Sequence, residues 1–483
     1  MRLVLALITM GALGGCEAGT CSASGLSAAL GAASPGDVVE VGRCRVEGAF
    51  VVPTGVTLRG SANETVLASD DPLGLVIELE DGARLEALHV EANGRAGVVT
   101  RADATLSDVS IDAIHGLGVY AGGGAVTLER VSIVGPVTAA NASEDRWISV
   151  SALPGTPGIA CPGAVCECDA GSIDEANQRV CVAGSWKTWA PTIGLYASGA
   201  TLTLDEVSIA GTAEVGLIAD ESTLEWTSGS VRDVIGTGVL LRGGVAVLTD
   251  VTIERVVSGL RGVPSYGLIN TDENDLTTER LAIAGGERFG LLQLEATGAH
   301  AELSVRDHGD VGVWIASSDR FELEGESVIA GSGFAGVVVS ESSGVTLDGA
   351  IVENTATVRR SVGTFGLQEI GDGVQLTGSY VGVRLANLTI RGNERAGLLV
   401  DAAPGVTFEA VTVDATGAAF GALAGGRDVA RGVLTVAGPA GWDTGITRSG
   451  AAVANDPTAP AELDLIVTTP DVAGALGIIA PMY

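Results

Sequence analysis

Four side chains in the middle of the chain are of the types that carry acid–base chemistry: Asp272, Glu295, Asp307 and His308. Hydrolysis of a glycosidic bond needs two carboxyl groups about 5 to 9.5 Å apart. Asp272 and Glu295 are 23 residues apart in the sequence, so they can meet only if the backbone returns to the same place at about that interval. The catalytic interpretation therefore depends on a structural repeat.

The motifs around these residues are incomplete. Asn270-Thr271-Asp272 resembles the first catalytic motif of polygalacturonases, whose other elements are an Asp-Asp pair, Gly-His-Gly and Arg-Ile-Lys, and only Asp307-His308-Gly309 comes near one of them. The Asp-Pro-His-Glu signature of alginate epimerases is absent, and lysine, which a polysaccharide lyase could use as its base, is nearly absent. The sequence therefore favours no catalytic residue, metal or cofactor, with the four side chains above kept as a fallback for a lyase or hydrolase.

A glycine followed by Val or Leu recurs through most of the chain. Successive gaps are 21, 76, 22, 22, 29, 23, 22, 24, 37 and 24 residues, so a period near 22 is interrupted by three insertions. Such self-similarity is typical of solenoid proteins. The glycines are Gly97, Gly118, Gly194, Gly216, Gly238, Gly267, Gly290, Gly312, Gly336, Gly373 and Gly397.

Between these glycines the sequence has the alternation of β-strands. In segments 126–133, 203–209 and 247–253, Val, Leu and Ile alternate with polar residues, as in a strand with one buried face. A unit of this length cannot bury its own core, but stacked units can share one. We therefore predict an all-β, parallel β-helix of roughly 14 coils, on the order of 65 Å long at the usual strand spacing. A leucine-rich repeat has a similar period but requires a fixed Asn or Cys that is missing.

The N-terminal region predicts a cap for this rod. Leu26, Ala29, Leu30 and Ala33 fall on one helical face, with Ser24 as a possible N-cap. A helix here would cover the open edge of the first coil. Segments 33–41 (ASPGDVVEV) and 52–60 (VPTGVTLRG) resemble the opening of pectate-lyase-like right-handed β-helix proteins. That resemblance, which continues to about residue 436, implies the fold but not an activity, because this fold serves many functions.

The composition limits the possible partners. Acids outnumber bases 59 to 27, giving a net charge of −32, so a nucleic acid would be repelled. We interpret the high acid content as an adaptation for solubility and salt rather than as a calcium-binding array, because the Asp-x-Asp spacing of calcium repeats is missing.

The first residues have the pattern of an export signal. Arg2 is followed by the apolar run Leu3–Leu13, which is too short to span a bilayer. Residues 13–16 (LGGC) resemble the lipobox of bacterial lipoproteins, which implies cleavage after residue 15 and a lipid on Cys16. An ordinary signal peptide with a coincidental cysteine is the alternative. The lipoprotein interpretation predicts an outer-membrane lipoprotein of the cell envelope, periplasmic or surface-exposed.

The number of cysteines, seven, supports export to the cell envelope. Without Cys16, six remain, an even number that fits disulfides in an oxidising compartment. The simplest pairing joins Cys21 to Cys44 and forms two bridges within a cluster, for which three connectivities are possible. A zinc site is the alternative for these four thiols, although they lack a Cys-x-x-Cys pair. The cluster consists of Cys161, Cys166, Cys168 and Cys181.

One outward-facing column is unexpectedly apolar. The residue after each repeating glycine should point inward, so the next one should point outward. An insertion or the C-terminal tail could cover this column. It could instead dock another protein, or bind sugar rings at Tyr120, Tyr196 and Trp314; an inward orientation is the third possibility. The column reads Val99, Tyr120, Tyr196, Ile218, Leu240, Ile269, Leu292, Trp314, Val338, Gln375 and Leu399.

The sequence thus divides into a signal peptide (1–15), an anchor and capping helix (16–35), a β-helix (36–436) with a Cys- and Trp-rich insertion (136–191), and a C-terminal cap or tail (437–483). The insertion holds Trp147, Trp186 and Trp189, which form either the core of a small disulfide-stapled knob or a set of aromatic anchors for recognition. The favoured role is a non-catalytic recognition or structural rod that contacts polysaccharide or another envelope protein. A polysaccharide lyase or glycoside hydrolase remains the alternative.

Overall fold

The computed structural model describes residues 19–69, 74–93, 96–113, 116–136, 192–258, 264–361, 367–378, 382–401, 405–414, 416–418 and 420–437, with the short segments 173–174, 179–182, 185–188, 461–462 and 465–469. The chain winds into a parallel β-solenoid of about 13 turns. Each turn contributes strands to three faces, and every strand pairs in parallel with its counterparts on the neighbouring turns. The predicted fold class is confirmed.

The first face contains the repeating glycines. Its strands are Phe50–Val52, Leu75–Leu79, Ala96–Thr100, Leu117–Ala121, Ile193–Ser198, Val215–Asp220, Thr237–Arg242, Tyr266–Thr271, Phe289–Leu294, Val311–Ala316, Ala335–Ser340, Asp372–Thr377, Ala396–Asp401 and the beginning of Phe420–Ala437.

The second face follows each first-face strand after a tight corner. Its strands are Val38–Glu40, Ala125–Glu129, Thr201–Asp205, Thr223–Thr227, Val245–Thr249, Asp275–Glu279, Thr297–Ala301, Arg320–Glu324, Val345–Asp348 and Arg384–Ala386. Four longer strands and the end of Phe420–Ala437 run from the second face into the third: Thr57–Ser69, Ala83–Ala92, Ala104–Ala113 and Thr407–Asp414. The other strands of the third face are Arg45–Glu47, Ser132–Val134, Ser208–Ala210, Ser230–Ile235, Thr252–Val257, Ala282–Ala284, Ser304–Arg306, Val328–Ala330, Ile351–Glu353 and Thr389–Arg391.

The glycine repeat has a steric cause. At Gly216 a Cβ atom would lie 2.5 Å from the carbonyl oxygen of Gly238 on the next turn and 2.5 Å from Cγ1 of Val231 on the third face. Gly194, Gly238 and Gly267 meet the same two kinds of neighbour at 2.3 to 2.7 Å. Each glycine therefore lets the first face approach a β-branched residue of the third face. Because this close approach occurs once per turn, the glycines recur with a period near 22 residues.

The corners between faces are tied together by ion pairs. Non-glycine residues with positive φ recur there, among them Asp250 at φ 55°. Nε and Nη2 of Arg280 donate to the two carboxylate oxygens of Asp250 at 2.6 and 2.9 Å, and these hydrogen bonds lower the pKa of that carboxyl group. Asp233 and Arg255 form the same bidentate pair.

The N-terminal end is capped by the helix Ala23–Ala32. Leu26 and Leu30 are buried in the main core, which supports the predicted apolar face. The N-cap is Ser22, not Ser24 as expected: its hydroxyl accepts a hydrogen bond from the backbone N–H of Gly25 at 3.2 Å. The Cys21–Cys44 disulfide is present as predicted.

Removing that disulfide should loosen the cap. The bridge closes a loop of 23 residues in sequence separation, and losing such a constraint on the unfolded chain typically costs about 2 to 4 kcal/mol. We expect the Cys21→Ser, Cys44→Ser double variant to lose free energy of unfolding in this range, measured by denaturant titration without reductant. A reductant should lower the stability of the parent chain by this amount more than it lowers that of the variant, because any bridges among the other cysteines are reduced in both. An unchanged double variant would show that the bridge does not hold the cap.

Three antiparallel elements accompany the solenoid. Ile173–Asp174, Arg179–Val182 and Ser185–Thr188 form a small sheet inside the predicted insertion. Val358–Ser361 and Leu367–Ile370 form a hairpin between two turns of the first face. Ala461–Glu462 and Leu465–Thr469 pair with the last long strand, Phe420–Ala437.

Candidate functional site

The apolar column of the first face lies outside the main core. Leu195 and Ala197 point into the core, whereas Tyr196 between them belongs to a separate cluster on the outer surface. The outer clusters also contain Ile218 and Leu240. The first face is therefore apolar on both sides from the turn of Ala96 to that of Ala335, and its outer side must be covered or bound.

The C-terminal half of this column is covered by the chain itself. Trp314 is 6% exposed and packs in a cluster with Phe334, Val338 and Ile370, of which Ile370 belongs to the hairpin Val358–Ile370. The indole Nε1 of Trp314 donates to the hydroxyl of Ser340 at 3.1 Å. Trp314 therefore has no open ring face for a sugar, contrary to the expectation from sequence, because the hairpin lies over it.

Val99, the first residue of the column, is buried, whereas the next six residues are only partly buried. We call this stretch the open ribbon and define it as Tyr120, Tyr196, Ile218, Leu240, Ile269 and Leu292, which are all half-buried. Their strands are paired in register, so the six side chains form one row along the rod axis. The rings of Tyr120 and Tyr196 meet edge to face with centroids 5.6 Å apart.

Polar groups run along one side of the open ribbon. We call Ser198, Asp220, Arg242 and Thr271 the polar edge; they occupy equivalent positions on four successive turns. Nε of Arg242 donates to Asp220 at 2.8 Å, and the Tyr196 hydroxyl lies 3.5 Å from the same carboxylate. Burial, followed by the charge of Asp220, raises the pKa of the Tyr196 phenol, so this hydroxyl stays protonated and can donate at neutral pH.

The other side of the ribbon carries aromatic rings and a more buried ion pair. Tyr266 and Phe289 stack with centroids 4.9 Å apart and an interplanar angle of 12°. The Arg288 guanidinium lies 5.3 Å from the centre of the Phe289 ring and pairs with Asp310 at 2.5 Å. Together the two sides form a row of apolar side chains bordered by hydrogen-bonding groups, an arrangement suited to an elongated, amphipathic ligand.

The structure brings together only two of the four acid–base candidates. Asp272 and Glu295 occupy corners of adjacent turns just beyond the polar edge, where the N–H of Glu273 donates to the carbonyl of Glu295 at 2.7 Å. Asp307 and His308 precede the six-residue strand Val311–Ala316, whereas Asp272 and Glu295 follow their strands. The two pairs therefore lie at opposite edges of the first face. A strand of this length spans about 20 Å, so the four residues do not form one site.

His308 points into the rod rather than toward a ligand. Its ring is 2% exposed and its Nε2 lies 3.4 Å from the carbonyl oxygen of Ile283. Burial lowers the pKa of His308 to about 4 and that of the equally buried His300 to about 3. Both imidazoles are therefore uncharged core groups at neutral pH.

A buried ion pair on the first face was not expected from sequence. Asp372 is fully buried, and its carboxylate accepts from Nε of Arg395 at 2.6 Å, from Nη2 of Arg395, and from the side-chain amide of Gln375 at 2.7 Å. Asp372 occupies the position before the repeating glycine, where most turns have an apolar residue such as Ile193 or Val311. The presence of an acidic residue at this otherwise apolar position is the feature of the sequence that could have indicated the buried ion pair.

Several predicted site residues fall outside the described part of the chain. These are Cys16, Trp147, Trp189, Cys161, Cys166 and Cys168. Cys181 and Trp186 occupy paired backbone positions on two neighbouring strands of the insertion. Within the described ranges, no group of three His, Cys, Asp or Glu side chains is arranged to hold a metal ion, and no helix is long and apolar enough to cross a membrane.

One family model matches part of the chain, and several solved structures are distantly similar to it. Residues 294–433 match the family model described as the right handed beta helix region. The A-module of an Azotobacter vinelandii mannuronan C-5 epimerase is 14% identical, covering 86% of this chain and 94% of the module, with a TM-score of 0.35.

Two further solved structures are similarly distant. An alginate lyase from a Paenibacillus species is 12% identical, covering 68% of this chain and 97% of the lyase, with a TM-score of 0.28. The catalytic domain of an alpha-1,3-glucanase is 10% identical, covering 80% of this chain and 61% of that structure, with a TM-score of 0.36. At these values the comparisons say nothing about what this chain binds, and no curated protein matches its sequence. The parallel turns establish the fold of the described part of the chain, a right-handed parallel β-solenoid, and residues 294–433 match a family model of the same kind.

Proposed function

We propose that this chain is a non-catalytic recognition rod of the cell envelope that binds a polysaccharide along the open ribbon of its first face. The observation that carries the proposal is the row of six half-buried apolar side chains, Tyr120 to Leu292, which continues over successive turns outside the core. A contiguous apolar row of this kind is unusual on a surface without a partner.

The geometry of the row fits a chain-like glycan. Sugar rings have apolar faces formed by their C–H groups and edges formed by hydroxyls. The open ribbon offers apolar and aromatic surface to the ring faces, and the polar edge offers the Asp220 carboxylate and the Arg242 guanidinium to the hydroxyls. Because the apolar positions of the ribbon repeat on successive turns, an extended polymer can contact several of them at once.

The location belongs to the same proposal. The apolar run before Cys16 and the lipobox-like residues 13–16 support export and lipid attachment, and the Cys21–Cys44 disulfide fits an oxidising compartment. We expect metabolic labelling with a palmitate analogue to mark the parent chain, and not a Cys16→Ala variant. Equal labelling of both would exclude Cys16 as the lipid site.

The decisive prediction concerns Leu240. Replacing Leu240 with Ser puts a hydroxyl in the centre of the open ribbon, and we expect the affinity for the bound glycan to fall about tenfold, the effect of losing roughly 1.4 kcal/mol of contact. A glycan screen, followed by titration calorimetry on the best oligosaccharide, measures this change.

A matched control lies on the same turn. Val247 is 39% exposed on the outside of the second face, so Val247→Ser makes the same kind of change away from the ribbon. We expect it to leave the affinity unchanged. If both variants bind like the parent chain, or if Val247→Ser is the weaker binder, the ribbon is not the binding surface.

The adjacent corners of Asp272 and Glu295 support a glycoside hydrolase as the second candidate. Neighbouring turns are about 4.8 Å apart, a separation close to that of the carboxyl pair in retaining enzymes. Release of shorter oligosaccharides in the glycan screen, abolished by Asp272→Asn or Glu295→Gln, would establish this activity. Binding without products would support the recognition rod.

A further inference from the structure

We infer that the polysaccharide bound by the open ribbon is neutral, and that polymers of uronic acids are excluded. This inference rests on the proposed function and names its ligand class. The inference follows from the charged groups beside the ribbon. The arginines there are paired with protein carboxylates, and further carboxylates lie next to them.

The cationic groups that the structure describes along this part of the first face are paired between turns. Among the described residues of its strands from Ala96 to Leu294 and of the positions next to them, the guanidinium groups are those of Arg101, Arg242 and Arg288. Arg101 pairs with Glu78 at 3.2 Å, Arg242 with Asp220 at 2.8 Å and Arg288 with Asp310 at 2.5 Å. The charge of each of these arginines is therefore already balanced by a protein carboxylate, so a uronate carboxylate gains little net attraction there.

Further carboxylates border the same surface. Glu221, Asp272 and Glu295 occupy the corners next to the polar edge. The whole chain carries a net charge of −32, so a polyanion approaching this face meets both local and long-range repulsion. A neutral glycan meets neither.

The paired groups suit neutral hydroxyls. A carboxylate accepts hydrogen bonds, whereas a guanidinium and a protonated phenol donate them. The Asp220 carboxylate lies within hydrogen-bonding distance of both the Arg242 guanidinium and the Tyr196 hydroxyl, so a sugar hydroxyl beside them finds both kinds of partner. None of these contacts requires a charge on the ligand.

The first test compares oligosaccharides of equal length by titration calorimetry. Cellohexaose, laminarihexaose and mannohexaose are the neutral probes, and the hexamers of mannuronate and galacturonate are the acidic ones, each measured with EDTA and with calcium. We expect at least one neutral probe to bind about tenfold or more tightly than either acidic probe. Equal or tighter binding of a uronate, with or without calcium, would overturn the inference while leaving the proposed function standing. If none of the probes binds, the proposed function fails as well.

The second test creates the missing cationic site. Asp220→Asn removes the carboxylate that neutralises Arg242, so we expect the affinity for the uronate hexamers to rise about tenfold. Asp250→Asn is the matched control, because it removes the bidentate carboxylate partner of Arg280 at a corner between the second and third faces, away from the ribbon, and should not change uronate binding. Unchanged uronate affinity in Asp220→Asn, with the thermal unfolding midpoint preserved, would contradict the inference.

Discussion

Replacing Gly216 with Ala should lower the free energy of unfolding by about 3 kcal/mol, the upper end of what overpacking a core costs. The added methyl group would lie 2.5 Å from both the carbonyl oxygen of Gly238 and Cγ1 of Val231. The first atom belongs to the backbone of the next turn, so the clash cannot be relieved by rotating a side chain. Chemical denaturation of the purified chain measures the loss.

Gly199 provides the comparison. It also lies at the first face, but nothing is within 4 Å of its added Cβ, and its φ is +62°. Asn tolerates that backbone conformation better than other side chains, so Gly199→Asn should change the stability by well under 1 kcal/mol. A Gly216→Ala variant as stable as Gly199→Asn would show that the repeating glycine does not serve the close approach of the faces.

Arg395→Gln should destabilise the chain by about 3 to 5 kcal/mol near pH 7. The substitution leaves the carboxylate of Asp372, which is fully buried, without its cationic partner, and breaking a buried pair in this way typically costs this amount. Arg391→Gln is the matched control: its pair with Glu353 is at the surface, with half of the arginine side chain exposed, and such pairs contribute about 1 kcal/mol at most.

The loss should depend on pH. Burial raises the pKa of Asp372, while Arg395 and Gln375 oppose that shift; without Arg395 the pKa rises further. An acid with a raised pKa in the folded state stabilises the fold below its unfolded pKa, and this contribution is lost as the pH rises through the folded value. The deficit of Arg395→Gln relative to the parent chain should therefore shrink between about pH 7 and pH 4. A deficit that is constant over this range, or that grows toward low pH, would contradict the assignment of the buried charge.

The fold was predictable because the close packing of its faces requires glycine at one position of each turn, and this requirement produces a repeat in the sequence. One glycine per turn must face a β-branched residue, as Gly216 faces Val231, and this requirement leaves a period near 22. The start of the helix was less certain, because Ser22 and Ser24 both have side chains that cap helices. Only the observed hydrogen bond from Gly25 to Ser22 decides between them.

The site was predictable only in part. The alternation of residues predicts which column points outward, as seen for Tyr196 and Leu240. The 37-residue gap before Gly373 indicates an insertion, but it does not show that the hairpin folds back over Trp314. Partners such as Asp372 and Arg395 lie far apart in sequence, and they are neighbours only because the turns stack.

Hydroxyl-radical footprinting with a saturating neutral hexasaccharide, the tightest binder among the probes, tests the role of the open ribbon most directly. We expect Tyr196, Ile218 and Leu240 to be protected from oxidation, while Val245 and Val247, which are exposed on the second face, are oxidised as in the free chain. Protection of Val245 and Val247 with continued oxidation of the ribbon residues would show that the glycan binds elsewhere and would contradict the account.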